Sequence, residues 1–302
     1  MNRSSELSQV SPKGSHPGAE LRSPRLSPKK SVTVEKKKLV GTGGSGCKVW
    51  KAKIDGWICC VKELPVEMCS AVDIETFEQE ITILQNLPAE NPNLIRYLGF
   101  QKNGNCMQLF MTLYDGTLFD LIQSRNHKPF SEKEIVCISC QLLEALATLH
   151  SKRLIHRDVK SMNIYYEEGD DKTFVMGDFG ESKIIPRKKR TSTITGTDRW
   201  IAPEVLMAEY DGGYSFKADV WSFGMVIYEM MTLQLPYFHL TRFSVPLRIM
   251  EGVLPVLSDR QTILYKNIIP IWNECLKLDP DMRISAENCL NQFKYLLLSI
   301  SS

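Results

Sequence analysis

The chain has 302 residues, of which 43% are hydrophobic and 24% charged, as in a soluble globular protein with one large or two moderate cores. Residues 1–38 carry nine Lys/Arg against three Glu, so the rest of the chain has a net charge of −4, although the whole chain has +2. The basic excess lies in this first segment, and we therefore expect no nucleic-acid-binding face on the folded part. No apolar run approaches the ~20 residues that span a bilayer and no secretory apolar region begins the chain, so we expect no membrane span and a cytoplasmic location, with nuclear access left open.

Residues 1–33 form a basic segment that is rich in serine and proline and holds almost no large apolar side chains. Such a segment cannot bury enough apolar surface to offset the entropy lost on ordering, so we predict a disordered tail. Ser11, Ser23 and Ser27 each precede a proline. They are candidate sites for proline-directed kinases, although Ser-Pro pairs are also what disordered tails commonly contain.

The next segment, through residue 112, shows the alternation of a mostly antiparallel sheet. A hairpin signal at Asp55-Gly56 joins two of its strands. Ser70 introduces a helical stretch, because the apolar residues after it recur every three to four positions up to Leu87. The predicted strands are the one that leads into Gly41 and those at residues 48–54, 57–64, 95–100 and 106–112. Five strands and one helix predict a small β-rich lobe.

Beyond Asp115 the apolar residues follow a helical period, so we predict a second, helical lobe. Its clearest predicted helices are residues 131–150, 217–232, 261–276 and 285–299. The nine cysteines are scattered through apolar segments, which indicates buried reduced thiols. Cys137 and Cys140 form a C-x-x-C inside a helical pattern without a second pair at zinc spacing, so we expect no metal or redox site there.

A short motif combines an acid, a base and an amide. It reads His156-Arg157-Asp158-Val159-Lys160-Ser161-Met162-Asn163, and Asp178-Phe179-Gly180 follows about one hairpin later. Asp158 could accept a hydroxyl proton, and Lys160 could neutralise a transferring phosphoryl group. Asn163 and Asp178 offer oxygen atoms to a hard cation. The combination indicates phosphotransfer chemistry.

The two motifs resemble the catalytic loop H-R-D-L-x-x-x-N and the D-F-G triplet of the eukaryotic protein kinases. The resemblance extends over residues 36–297 and implies an α+β, bilobal protein kinase fold, with a small β-rich N-lobe that holds one regulatory helix and a larger helical C-lobe. After the disordered tail at 1–33, we therefore predict a kinase domain at 34–300, with its N-lobe at about 34–114 and its C-lobe at about 115–300.

The resemblance also implies roles for the motif residues in phosphoryl transfer from ATP to protein substrates. Asp158 would orient and deprotonate the substrate hydroxyl, and Lys160 would contact the γ-phosphate. Asn163 and Asp178 would hold Mg²⁺, with Mn²⁺ as an alternative. A lysine two residues after the catalytic aspartate is typical of serine/threonine kinases. A dual-specificity kinase and a pseudokinase that serves as a nucleotide-binding interaction module remain alternatives.

A glycine-rich turn between two predicted strands resembles the loop that covers the ATP phosphates in this family. Its glycines are Gly41, Gly43, Gly44 and Gly46. Val49, the expected apolar lid over the adenine, comes one position later than the family pattern. Either the loop carries one extra residue, or its register begins at Thr42 and ends at Cys47.

Lys62 ends a Cys-Cys-Val-Lys sequence that takes the place of the family's V-A-I-K, so it is the candidate for holding the α- and β-phosphates. Glu80 is its predicted partner, because Glu78 would lie on another face of the same helix. Met111 takes the gatekeeper position. Thr112, Leu113 and Tyr114 would form the hinge that meets the adenine edge.

Arg157, beside Asp158, suggests control by a phosphate on the following segment, because a guanidinium binds phosphate in a bidentate manner. The candidate acceptors for an upstream kinase are Thr191, Ser192, Thr193 and Thr195. The basic run at residues 187–190 could steer an acidic partner or serve localisation, and a merely solvated loop explains it equally well.

Residues 196–204 resemble the family's substrate-docking segment and place Thr197 near Asp158. Glu204 is expected to form a buried ion pair with Arg283. Asp219 resembles the acid by which the central helix anchors the catalytic loop. The amino-acid sequence of the docking segment is most similar to that of the tyrosine-kinase-like branch of serine/threonine kinases, including the Raf-like and Roco-like groups.

Overall fold

The structure, a computed structural model, describes residues 33–42, 46–54, 56–186, 190–193, 195–208 and 213–301. Several predictions from the sequence concern other parts of the chain. They are the disordered tail through residue 32, the loop positions Gly43 and Gly44, Asp55 of the hairpin signal, and residues 187–189 of the basic run.

The first part of the chain forms a five-stranded antiparallel sheet and one long helix. The strands run in the order β1-β2-β3-β5-β4. The elements are β1 (Val34–Thr42), β2 (Lys48–Ile54), β3 (Trp57–Pro65), α1 (Ala71–Gln85), β4 (Tyr97–Asn103) and β5 (Cys106–Met111). Strand β4 begins later than predicted, because the amide of Ile95 donates instead to the carbonyl of Met176, 2.9 Å away, and ties this lobe to the next.

Helix α1 begins where the sequence predicts. The Ser70 side chain accepts from the amide of Asp73, and the Asp73 carboxylate accepts from the amide of Ser70 in return, which closes a capping box. The buried face of the helix carries Phe77, Ile81 and Leu84, which belong to the main hydrophobic core. This packing fixes the helix against the sheet.

Strand β3 separates two environments. Alternation along a strand sends Cys60, Lys62 and Leu64 to one face and Val61 to the other. Leu64 joins the main core on the side of α1, whereas Val61 lies in a second, smaller core with Phe110. The face that carries Lys62 is therefore the one turned toward α1 and the rest of the molecule.

The second part of the chain is mainly helical. Its strands are β6 (Gly116–Thr117), β7 (Leu154–Ile155), β8 (Ile164–Glu167), β9 (Thr173–Met176) and β10 (Lys183–Ile184). Its helices are α2 (Leu118–Ser124), α3 (Glu132–Ser151), α4 (Pro203–Leu206), α5 (Lys217–Thr232), α6 (Val245–Met250), α7 (Asp259–Leu264), α8 (Ile269–Cys275) and α9 (Ala286–Ser301). Helix α5 is buried from Ala218 to Met231 and forms the centre of this lobe.

One predicted helix is wrong. The stretch 261–276 is divided into α7 and α8, with Tyr265 at the end of the first helix. Pro270 lies in the first turn of α8, where its missing amide hydrogen costs nothing, but it could not continue a helix from α7 because its ring would clash with the carbonyl four residues earlier.

The α+β fold with two lobes is confirmed, because an antiparallel sheet with helix α1 precedes a mainly helical part. The main hydrophobic core runs through both lobes, from Leu64 and Phe77 to Phe179 and Met225. Within the described ranges, no helix is both long enough and apolar enough to cross a lipid bilayer.

Candidate active site

The loop after β7 is anchored to the central helix through Asp219. One carboxylate oxygen accepts the amide of His156 and the other the amide of Arg157, both at 2.9 Å. Asp219 is 1% exposed, and His150 donates a further hydrogen bond at 2.8 Å. Burial would raise the pKa of Asp219, but the hydrogen bond and charge of His150 outweigh it, so the pKa lies below its usual range. This carboxylate fixes a loop in which Arg157 has a positive φ of 71°.

Asp158 lies at the centre of a cluster of hydrogen bonds. Its Oδ2 accepts from Lys160 Nζ at 2.7 Å and from Asn163 Nδ2 at 2.8 Å. Its Oδ1 accepts from the Thr197 hydroxyl at 2.7 Å. Lys160 Nζ also donates to that hydroxyl, at 2.8 Å. A carboxylate therefore lies within hydrogen-bond reach of an alcohol, which is the geometry that a general base requires.

Asn163 and Asp178 offer oxygen atoms to a cation. Asn163 uses its amide nitrogen for Asp158, and within the described residues its side-chain oxygen takes part in no hydrogen bond. Asp178 accepts from Lys62 through Oδ1 alone. The described residues contain no group of three or more His, Cys, Asp or Glu suited to a metal ion. The two oxygens fit Mg²⁺ if phosphate oxygens and water complete its ligands.

Lys62 joins the sheet, helix α1 and the second lobe. Its Nζ donates to both carboxylate oxygens of Glu80, at 2.9 and 2.8 Å, and to Asp178 Oδ1 at 3.3 Å. Glu78 contacts Lys102 instead, at 3.0 Å. Burial would lower the pKa of Lys62, but Glu80 and Asp178 outweigh it and hold the pKa above its usual value. The lysine is therefore charged throughout the physiological range.

The residues around Asp178 hold it in an uncommon conformation, with φ at 59°. Phe179 is fully buried and packs against the His156 ring at a centroid distance of 4.9 Å. His156 Nε2 also lies 3.1 Å from the carbonyl oxygen of Gly177. Partial burial would raise the pKa of Asp178, but Lys62 outweighs it, so the carboxyl pKa lies below its usual value and the group stays ionised.

The predicted lid and gatekeeper residues lie on strands next to the one that carries Lys62. Val49 pairs with Lys62 across β2 and β3, and Cys60 pairs with Met111 across β3 and β5. Met111 is buried, and Leu113 follows it, half-buried, on the segment that leads to the second lobe. Val49 and Met111 therefore lie on the face of the sheet that carries Lys62.

Of the predicted loop glycines, Gly41 and Gly46 are described. Gly41 pairs with Val49 at the end of β1. Gly46 has a φ of +73°, a conformation that side chains rarely adopt, so glycine is favoured there.

The predicted phosphoacceptors differ in access. Thr191 is 4% exposed and is held by two backbone hydrogen bonds to Tyr214, at 3.1 and 2.9 Å, so it is a poor acceptor in this conformation. Ser192 and Thr193 are exposed. Thr195 is half-buried, and its hydroxyl donates to the carboxylate of Glu181. The sequence alone gave no indication that these four candidate acceptors differ in accessibility.

Glu229 is a residue of the site that sequence reasoning missed. Its carboxylate accepts from the Ser161 hydroxyl at 2.6 Å and from Trp200 Nε1 at 2.7 Å. Burial raises the pKa of Glu229 to about 8. A glutamate among the apolar residues of the second half of helix α5 was the available signal. It joins the catalytic loop to the docking segment.

The docking segment is also held from its other side. Arg199 donates to the carbonyl oxygens of Pro236, Tyr237 and Leu240, at 2.8, 2.6 and 2.9 Å. Glu204 and Arg283 form the expected bidentate pair, with N–O distances of 2.6 and 2.9 Å. The segment is thus fixed at both ends next to Asp158.

Comparison with known proteins identifies relatives over most of the chain. The protein kinase domain family matches residues 34–295. The chain is 34% identical over 268 residues to the Kinase and exchange factor for Rac B of Dictyostelium discoideum, covering 85% of this chain and 24% of that protein. It is 31% identical over 261 residues to Mitogen-activated protein kinase kinase kinase 1 of Arabidopsis thaliana, covering 85% and 41% respectively.

A further relative is the RAF proto-oncogene serine/threonine-protein kinase of Xenopus laevis. The identity is 31% over 233 residues, which covers 76% of this chain and 35% of that protein. The chain thus spans less than half the length of each of these curated relatives.

Proposed function

The chain belongs to the protein kinase domain family, and from this membership we propose that it transfers the γ-phosphoryl group of ATP to serine and threonine hydroxyls of proteins. The observation that carries the proposal is the Asp158 carboxylate, which lies 2.7 Å from an alcohol oxygen and is held by Lys160 and Asn163. A serine/threonine-protein kinase among its relatives supports this choice of acceptor.

Each residue has a distinct task in this reaction. Asp158 orients the substrate hydroxyl and takes its proton as the new P–O bond forms. Lys160 stabilises the charge of the transferring group, and Lys62, held by Glu80, binds the α- and β-phosphates. Asn163 and Asp178 would hold Mg²⁺, or Mn²⁺, which would supply further neutralisation of phosphate charge.

A phosphotransfer assay tests the proposal. The purified protein is incubated with Mg²⁺, γ-labelled ATP and a generic basic protein substrate, and the labelled amino acids are identified after hydrolysis. We expect phosphoserine and phosphothreonine. Phosphotyrosine alongside them would indicate a dual-specificity kinase, and no label above the enzyme-free background would favour a pseudokinase.

We further propose that a phosphate on the segment after Asp178 controls this activity and is bound by Arg157. Within the described residues, Arg157 Nη1 is buried without a hydrogen-bond partner, while Nε donates to the carbonyl of Glu181. An unpaired buried donor costs free energy that a phosphate oxygen would recover. The exposed hydroxyls of Ser192 and Thr193 and the half-buried one of Thr195 are the accessible acceptors for an upstream kinase.

Replacing Ser192, Thr193 and Thr195 together with alanine is expected to lower kcat about tenfold or more, because a lost phosphate removes charge-assisted hydrogen bonds worth several kcal/mol. The enzyme should be isolated from cells and assayed before and after phosphatase treatment. Phosphatase should reduce the activity of the wild type to that of the triple variant and leave the variant unchanged. Equal activities of wild type and variant before treatment would contradict the proposal.

We also propose a cytoplasmic location with access to the nucleus, since all nine cysteines are free thiols, as is usual in a reducing compartment.

A further inference from the structure

A ladder of polar side chains crosses the five-stranded sheet on the face opposite Lys62. Glu63 follows Lys62 on β3 and therefore points to the other face, where its carboxylate forms the centre of the ladder. Its Oε1 accepts from Lys36 Nζ of β1 at 2.7 Å, and its Oε2 accepts from Gln108 Nε2 of β5 at 2.6 Å. Gln108 Oε1 accepts in turn from Gln101 Nε2 of β4 at 2.7 Å. The polar ladder thus connects the two edge strands, β1 and β4.

The polar ladder is closed to solvent except at its lysine. Glu63, Gln108 and Gln101 are 7%, 4% and 9% exposed. The side chain of Lys36 is 36% exposed and lies over the Trp50 ring of β2, with Nζ 5.1 Å from the ring centroid. Burial of a carboxylate is costly unless a cation accompanies it. Within the described residues, Lys36 is the cation that pairs with Glu63.

Strand β1 has few other attachments to the sheet. It is an edge strand that pairs with β2 alone, and most of its residues are exposed. Its pairing with β2 is irregular between Lys36 and Lys38 and again between Leu39 and Gly41. Such irregularities interrupt the backbone hydrogen bonds that hold a strand. The ion pair between Lys36 and Glu63 passes over β2 and attaches β1 directly to β3.

We propose that Lys36 is a positioning residue for the nucleotide, because through Glu63 it holds β1 and thereby the glycine-rich turn between β1 and β2. This inference rests on the proposed use of ATP. Gly41 and Gly46 flank the turn, which resembles the loop that covers ATP phosphates. Lys36 itself does not touch the nucleotide, since it pairs with Ala52 of the second, smaller core, on the face opposite Lys62.

Loss of the lysine charge would favour separation of β1 from the sheet. With methionine at position 36, the closed sheet would bury the Glu63 charge without a cation, whereas separation of β1 would let water reach it. The turn would then cover the phosphates only in the fraction of molecules that keep β1 in place. The apparent affinity for ATP falls in proportion to that fraction.

The test separates ATP binding from the chemical step, by steady-state kinetics and by isothermal titration of Mg·ATP into the purified protein. Lys36→Met is expected to raise both the KM and the Kd for Mg·ATP about fivefold, which corresponds to β1 in place in roughly a fifth of the molecules. The value of kcat should stay within about twofold, because saturating ATP selects the molecules with β1 in place. Lys36→Arg, which keeps the charge, should restore the KM to within about twofold of the wild type.

Lys37→Met is the matched control. Lys37 is the next residue of the same strand, and its ammonium pairs with Glu35, also of β1. This exposed pair attaches β1 to no other strand, so we expect the KM for Mg·ATP to stay within about twofold of the wild type. Both replacements remove one positive charge from β1, so a difference between them does not come from net charge. Thermal melting checks that each variant is folded.

Glu63→Gln tests whether the effect runs through the polar ladder. The glutamine oxygen can still accept from Gln108, and no buried charge remains for a cation to neutralise. In this background, Lys36→Met should raise the KM for Mg·ATP less than twofold, because coupled residues lose their effect together. An undiminished fivefold increase would show that Lys36 acts independently of Glu63 and would overturn the inference.

The remaining outcomes separate the two proposals. If the folded wild type neither binds Mg·ATP nor transfers label, the proposed function fails and the inference with it. If the wild type does both but Lys36→Met has the same KM for Mg·ATP as Lys37→Met, the inference alone is overturned, even where the melting temperature falls. If Lys36→Met does not fold, Lys36→Gln, which keeps a hydrogen-bond donor, replaces it, and the same comparison with Lys37→Met applies.

Discussion

Replacing Asp158 with asparagine is expected to lower kcat for phosphotransfer by about 10²–10⁴-fold, the range that general acid–base catalysis contributes. Asparagine has nearly the same shape, so contacts with Thr197 and Lys160 can persist in part, but a neutral amide cannot take the proton of the substrate hydroxyl. The Kd for Mg·ATP should stay within about twofold, because the phosphates are assigned to Lys62 and the cation to Asn163 and Asp178. Single-turnover label transfer measures the rate, and titration calorimetry measures the affinity.

Asp171→Asn provides the matched control for this change. Asp171 is exposed in the turn between β8 and β9, away from the catalytic loop. The same loss of one carboxylate charge should leave its kcat unchanged. If Asp158→Asn retained wild-type kcat, the assignment of Asp158 as the base would be wrong, and if Asp171→Asn lost activity equally, the effect would come from net charge.

The Arg283→Met variant should lose about 3–5 kcal/mol of unfolding free energy, the usual effect of removing one partner from a buried ion pair. The side chain of Arg283 is 0% exposed and that of Glu204 is 9% exposed. Arg283 also donates to the carbonyls of Lys277 and Lys217, at 2.9 and 2.8 Å. Without the arginine, Glu204 keeps a buried charge and those carbonyls lose their donor. Denaturation by urea, followed by tryptophan fluorescence, measures the loss.

An exposed ion pair supplies the control. Arg248 lies 3.0 Å from Glu251, and the two side chains are 51% and 46% exposed. Arg248→Met should cost less than about 1 kcal/mol, because water screens the pair. Combining Arg283→Met with Glu204→Leu should recover part of the loss, since no lone charge is then buried. Equal destabilisation by the two arginine replacements would refute the assigned role of burial.

Local signals in the sequence were sufficient for the two-lobe fold and for most of its long helices. Ser70 and the apolar spacing after it predicted helix α1, because capping and periodicity depend on neighbours along the chain. The division at Pro270 was missed because apolar residues continue through it. Strand β4 was displaced because the amide of Ile95 bonds to Met176, a contact that no local pattern reveals.

The site was predictable to a similar degree. Motif spacing pointed to Asp158 and Lys62 as chemical groups, to Glu80 as the partner of Lys62 and to Thr197 as a neighbour of Asp158, and the structure has both contacts. The individual hydrogen bonds depend on how the chain folds back. Neither the hydrogen bond from Thr197 to Asp158 nor the burial of Thr191 has a local signal. Glu229 was missed although it lies among apolar residues of helix α5, because its partners Ser161 and Trp200 come from distant parts of the chain.

The position of Glu229 has a consequence for how the surface around Asp158 can move. If Trp200 separated from helix α5, one oxygen of a buried carboxyl group would lose its donor, which costs roughly 1–3 kcal/mol. The other oxygen holds Ser161, so the same loss would loosen the loop that carries Asp158. The two segments therefore form one cooperative unit in local unfolding, and we expect their amide hydrogens to exchange with solvent at a common rate.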